Sequence, residues 1–119
     1  MKANLGSVSP AVSRVATDHH PGITVSMTAL ADNGTLPEGE LVAKDADGLI
    51  VAYDPDGTGE TASLAMVVGV LLEELDTAED DTALVLRHGT VRREALKVAA
   101  AAAGDDDVAA LEAIGIYAM

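Results

Sequence analysis

The sequence predicts a mainly β (α+β) fold: a small β-rich domain with short helices near the C-terminus, preceded by an extended N-terminal arm. Two observations favour it. Short apolar runs of strand length recur between turn-forming clusters across residues 38–91. The first 37 residues are instead rich in Ser, Thr, Ala, Pro and Gly, and their prolines and glycines leave no room for a long helix. We therefore divide the chain into an arm at 1–37 and a β-rich domain at 38–119.

The domain begins with four predicted strands, at residues 40–43, 49–53, 65–72 and 82–86. The first two are joined by a connection that contains Asp47 and Gly48, a pair that favours a hairpin. A loop dense in Asp, Pro and Gly and a strongly acidic connection separate the others. The third run indicates a buried strand, in which Gly69 marks a bulge or a close backbone approach.

The C-terminal part of the sequence predicts two helices and a closing strand. Leu96, Lys97 and five consecutive alanines favour a helix over 92–103, which Gly104 would stop. The three aspartates that follow place negative charge and a capping side chain before a second short helix over 108–113. Residues 114–118 are predicted to form a closing strand.

The composition limits the core and the partners. The chain has no Phe, no Trp and two Tyr, so Val, Leu, Ile, Ala and Met must fill the core, and oligomerisation would offset the small area they bury. It carries 20 acidic and 7 basic residues, for a net charge of −13. Nucleic acid and anionic membranes are therefore disfavoured as partners. A protein surface or a cation is favoured. The absence of cysteine excludes disulfides and thiolate metal sites.

The residues predict no catalytic site, metal or cofactor. No nucleophile elbow or phosphate-binding glycine loop occurs. The best cation candidate is the loop in which Asp54, Asp56 and Gly59 fall at positions one, three and six of a calcium-binding EF-hand loop. Its twelfth position is Ala65, where that motif needs a bidentate Glu. A small acidic calcium-binding module is therefore the alternative function, and an enzyme is not expected.

Several stretches, in order, resemble one family. They are LIVAYD at 49–54, VGVL at 68–71, ALVLRHGTV at 83–91, REAL at 93–96 and LEAIGI at 111–116. Residues 41–117 are thereby similar to the lambda-type head decoration proteins of tailed bacteriophages. The resemblance implies a non-enzymatic homotrimer that binds the major capsid protein. It would sit on the outer surface of the expanded capsid at local three-fold axes and stabilise the shell against the packaged genome. Its location would be the virion, after assembly in the host cytoplasm.

The arm is the predicted contact with the capsid. Val12, Val15, Ile23, Val25 and Met27 give a short β-like alternation without the pattern of a core. The family resemblance implies that such an arm becomes ordered against the major capsid protein. Addition of a strand to a partner uses main-chain hydrogen bonds and demands little of the sequence. We therefore assign these five residues to capsid binding, with a flexible tail as the simpler interpretation.

Overall fold

The computed structural model of the chain describes residues 22–119, and this part is mainly β. Its strands are β1 (Ile23–Thr28), β2 (Thr35–Leu36), β3 (Leu41–Lys44), β4 (Ile50–Ala52), β5 (Gly69–Leu71), β6 (Leu75–Asp76), β7 (Thr82–Val91), β8 (Lys97–Val98), β9 (Ala101–Ala102) and β10 (Ile116–Ala118). One α-helix, α1 (Asp105–Ala113), and two 3-10 segments (Gly59–Ala65 and Arg93–Ala95) complete the described part. Strands β3, β4, β5, β7 and β10 overlap the five strands predicted from the sequence.

The ten-residue strand β7 is the centre of the sheet. The sheet order is β10–β7–β5–β3–β4, and β1 also pairs with β7. Strand β5 lies antiparallel along one side of β7, with Val70 opposite Leu86. The other side is shared, because β1 pairs with the first part of β7 and the parallel strand β10 pairs with Gly89 to Val91.

The chain that leaves β1 closes the sheet on itself. Ala29 forms a parallel bridge with Ile50, and the amide of Leu30 donates to the carbonyl of Ile50 at 3.1 Å. Since Ile50 belongs to β4, the far edge of the sheet, this contact joins the two edges as in a small barrel. Ala29 itself is 2% exposed, so it belongs to the barrel interior.

Strands β3 and β5 are buried on both faces, because their alternate residues enter two different hydrophobic clusters. Leu41 and Ala43 lie in the first cluster, and Val42 between them lies in the second. Helix α1 closes the first cluster with Val108 and Leu111. Strands with two buried faces need apolar residues at successive positions, which explains the continuous apolar runs in the sequence.

Small aliphatic side chains build the core, as the composition predicts. The buried apolar residues are Ala, Val, Leu and Ile, together with Tyr53. Methionine contributes less than predicted. Met66 and Met119 are 70% and 60% exposed, and Met27 packs against the edge of the second cluster.

The helix predicted over 92–103 is wrong. The chain forms a 3-10 turn there and then a two-stranded hairpin, in which Val98 pairs with Ala101. The two residues at the tip, Ala99 and Ala100, have φ of 53° and 64°. This is the left-handed conformation that a hairpin tip of two residues uses, and it ends any helix. A polyalanine helix would have little apolar area to bury against the body, so tertiary contacts override its propensity.

The second predicted helix is confirmed, and it starts earlier than predicted. Helix α1 begins at Asp105, with the three aspartates in its first turn, where they complement the helix dipole. The carboxylate of Asp107 accepts the backbone amide of Gly104 at 2.9 Å. No helix within residues 22–119 has the length and apolar character needed to cross a membrane.

The folded body includes part of the range assigned to the arm. Residues 23–28 form β1, and both Ala29 and Leu36 are buried. The sheet and the core therefore include described residues from the range assigned to the arm, and the division of the chain at residue 37 stays a prediction. The alternation in Ile23, Val25 and Met27 marks a strand that pairs within the chain. An extended arm before Gly22 stays a prediction, because those residues lie outside the described part.

Candidate functional site

Strand β1 exposes apolar side chains on the surface. Five of its six residues are exposed and Met27 is half-buried. Ile23 is 57% and Val25 is 40% exposed. Because side chains alternate along a strand, Ile23, Val25 and Met27 share one face and the three Ser and Thr residues share the other. Three of the five predicted contact residues are thus on one face, while Val12 and Val15 lie outside the described residues.

The ladder between β1 and β7 has one irregularity. Thr28 to Thr24 pair in register with Thr82 to Leu86, but Ile23 pairs with His88. Arg87 is therefore an extra residue on β7, which is the arrangement of a β-bulge. Within residues 22–119, no strand pairs with the opposite side of β1, so its outer edge has no ladder partner in this part of the chain.

Strand β1 is uncharged in a strongly acidic chain. Residues 19–31 contain no Asp, Glu, Lys or Arg, whereas the chain as a whole has a net charge of −13. The nearest cation along the strand pair is Arg87, whose Nη1 lies 3.9 Å from the sulfur of Met27. The aliphatic stem of an arginine can cover apolar surface while its head stays in water. A partner that docks on this face therefore meets no acidic side chain on β1 itself.

The comparison with known families supplies the context for this strand. A sequence profile of the bacteriophage lambda head decoration protein D family matches residues 15–116, which include β1 and all of the sheet except the last two residues of β10. The chain belongs to this family. Among curated proteins, none matches it. Membership confirms the resemblance and fits a structural, capsid-decorating role with a location on the virion.

One buried carboxylate, which the sequence analysis missed, holds two parts of the folded body together. Glu40 is 1% exposed. Its two carboxylate oxygens accept the backbone amides of Ala99 at 2.9 Å and Ala100 at 3.1 Å. These are the two left-handed residues of the hairpin tip. Glu40 therefore holds the β8–β9 hairpin to the start of β3.

Two opposing effects act on the pKa of Glu40. Burial raises the pKa, and the hydrogen bonds from Ala100 and Ala99 and the charge of Lys97 lower it by a smaller amount. The net direction is upward. No local signal in the sequence could have found this residue, because its two partners are about sixty positions away.

The candidate calcium-binding loop forms a turn. The carboxylate of Asp54 accepts the amide of Asp56 at 3.0 Å, and the amide of Asp54 donates to Leu64 at 2.8 Å. The second half of the predicted loop, from Gly59 to Ala65 at its twelfth position, forms the first 3-10 segment. Across residues 22–119, no three His, Asp or Glu side chains are placed to hold a metal ion.

The acidic connection before β7 also uses its carboxylates locally. Asp76 accepts the amide of Ala78 at 3.1 Å, and Asp80 accepts the amide of Thr82 at 3.0 Å. The side chain of Thr77 fixes this connection to the loop before β2, because its hydroxyl accepts the amide of Asn33 at 2.6 Å. Such side-chain bonds to nearby amides are typical of turns. These aspartates therefore shape the connection between β6 and β7.

Proposed function

We propose that the chain is a capsid decoration protein that binds the major capsid protein on the outer surface of the expanded shell. It acts as a homotrimer at local three-fold axes and stabilises the shell against the pressure of the packaged genome. Family membership supports the role, and the observation that carries the mode of binding is the uncharged, exposed strand β1. A protein that holds neighbouring capsid subunits together needs contact area and a fitting geometry, and it needs no catalytic site.

The contact is made by one face of β1 together with the segment before it. Ile23 and Val25 offer exposed apolar area, and Met27 joins this face to the core. Val12 and Val15 extend the same contact in the N-terminal arm. An exposed apolar face on a monomer is typical of an interaction surface. Because no acidic side chain lies on β1, docking here removes no carboxylate from water.

Three copies of a weak contact suffice when they are linked. A trimer presents three such strands, and once the first binds, the others bind at a high effective concentration. The small aliphatic core gives a physical reason for the oligomer, since a trimer interface removes further apolar surface from water. Local three-fold axes of a shell would accept three identical contacts without strain in the body.

Co-sedimentation with empty, expanded heads assembled from the major capsid protein of the same virus tests the proposal. The mass of the free protein is measured first, and we expect a trimer. We expect wild type to saturate the heads and the double variant Ile23→Asp/Val25→Asp to lose at least tenfold in occupancy, because two carboxylates would enter the contact. A monomer in solution, or full occupancy by the double variant, would contradict the proposal.

Met66→Asp is the matched control. Met66 is 70% exposed and lies at the end of the first 3-10 segment, away from β1 in sequence and pairing. It introduces one carboxylate, half the charge added by the double variant, at another exposed apolar position. We expect this variant to bind heads as the wild type does, so a loss with it would indicate that added charge alone prevents binding.

A further inference from the structure

The ladder to β7 is the main attachment of strand β1 to the body. Its side chains are mostly in water, and the first register step is broken by the bulge at Arg87. The next residue is different. Ala29 is 2% exposed, and its amide donates to the carbonyl of Asp81 at 2.7 Å. Met27 packs against the edge of the second cluster, and full burial of the chain begins at Ala29.

A strand held in this way is close to balance between the attached and released states. The net gain from a backbone hydrogen bond is similar in size to the conformational entropy lost by ordering one residue. Side-chain burial normally tips this balance, and β1 contributes little of it. Elements with few buried contacts open locally without unfolding the domain.

We propose that β1 is an exchangeable strand: on binding to the shell it leaves β7, and an extended, uncharged segment of the major capsid protein takes its place. This inference rests on the proposed function and adds the surface that is used. The surface is the edge of β7 from Thr82 to His88, where alternate residues present their amides and carbonyls to β1 in the free protein. The replacement strand restores those main-chain bonds, and the released β1 carries Ile23 and Val25 to the shell surface.

A disulfide that locks β1 to β7 tests the exchange. Ser26 and Leu84 lie opposite each other in the ladder. The amide of Leu72 donates to the carbonyl of Leu84 at 2.9 Å, so the backbone of Leu84 points toward β5 and the pair is a non-hydrogen-bonded one. Such a pair is within the distance that a disulfide spans. The chain has no cysteine of its own, so Ser26→Cys/Leu84→Cys forms a single bridge.

We expect the oxidised double variant to decorate heads at least tenfold less than the same protein after reduction, with the reduced protein matching wild type. Comparing the two states of one variant removes any effect of the lost leucine. Lys97→Cys/Ala102→Cys is the matched control, because it bridges the β8–β9 pair and leaves β1 free. Its occupancy should not depend on oxidation.

Each outcome decides the question. Equal occupancy of the oxidised and reduced Ser26→Cys/Leu84→Cys protein overturns the exchange and leaves the proposed function intact. Absence of binding by the wild type overturns both the exchange and the proposed function.

Hydrogen exchange of the free protein gives a second test that needs no heads. We expect the amides of Val25 and Met27 to exchange at least tenfold faster than those of β3 and β5, after correction for intrinsic rates. Equal protection would show that β1 opens only when the whole domain unfolds, which overturns the exchange.

Discussion

Glu40→Gln is expected to destabilise the domain by about 2 kcal/mol at neutral pH, because it weakens the attachment of the β8–β9 hairpin. The carboxylate accepts two backbone amides, at 2.9 Å and 3.1 Å, from residues whose φ is positive. A glutamine oxygen can accept one of them, and its NH₂ group then faces the other donor. The amide that faces the NH₂ group loses its acceptor, and a donor left unsatisfied costs roughly 1–3 kcal/mol. A carboxyl group avoids this cost even when it is protonated, because its hydroxyl oxygen can still accept a hydrogen bond.

Thermal unfolding followed by circular dichroism measures the effect. About 2 kcal/mol corresponds to a fall in Tm of about 8–12 °C for a domain of this size. Glu79→Gln is the control, because Glu79 is exposed in a turn and its replacement should stay within about 0.5 kcal/mol of wild type. A Glu40→Gln protein that unfolds within about 1 °C of wild type would refute the role we assign to this carboxylate.

The pH dependence supplies a second test of the same residue. Burial raises the pKa of Glu40 in the folded state above its ordinary value, so the folded protein binds this proton more tightly than the unfolded chain does. The stability due to this proton is fully present below the unfolded pKa, about 4.3, and is lost as the pH rises through the folded value. The Tm difference between wild type and Glu40→Gln should therefore be larger near pH 4 than near pH 7. A difference that grows with pH would contradict the upward direction of the shift.

Three further substitutions test the packing, each by chemical denaturation. Gly69→Ala should lower the free energy of unfolding by about 3 kcal/mol, since the Cβ of the alanine would lie 2.5 Å from both the Leu86 carbonyl oxygen and a Val85 methyl group. A neutral result would mean that β5 and β7 are not packed this closely. Thr77→Val should cost about 2 kcal/mol, because its hydroxyl bridges an amide and a carbonyl of the loop before β2, both at 2.6 Å; unchanged stability would show that water replaces the hydroxyl. Leu111→Ala should cost about 3 kcal/mol, as it empties a fully buried position under α1; a cost below 1 kcal/mol would place α1 outside the core.

The order of strands was predictable from local patterns. Apolar runs bounded by turn formers marked β3, β4, β5 and β7, because a strand buried on both faces requires apolar residues at successive positions. The turn at Asp47 and Gly48 is a further local signal, and Gly48 indeed has φ of 81°. Gly69 was marked as a close approach, and its space is occupied by the neighbouring strand.

Elements that depend on distant partners were not predictable. The alanines at 99–103 favour a helix locally, yet Glu40 binds the amides of two of them and stabilises a hairpin tip. The strand β1 has a weak pattern, because its side chains remain exposed and its order comes from the ladder to β7. The sequence predicted the contact residues of β1 only from the alternation of apolar side chains. Their position beside β7 follows from the fold.

Composition and periodicity over a few residues were enough to establish the acidic charge, the aliphatic core, the mainly β class and five of the ten described strands. The tertiary structure alone decided where β1 lies, how Ala29 joins the two edges of the sheet and why a run of alanines turns back on itself. The physical reason is the same in all three cases. Hydrogen bonds between segments far apart in the chain outweigh local preferences that are worth only a few tenths of a kcal/mol per residue, roughly.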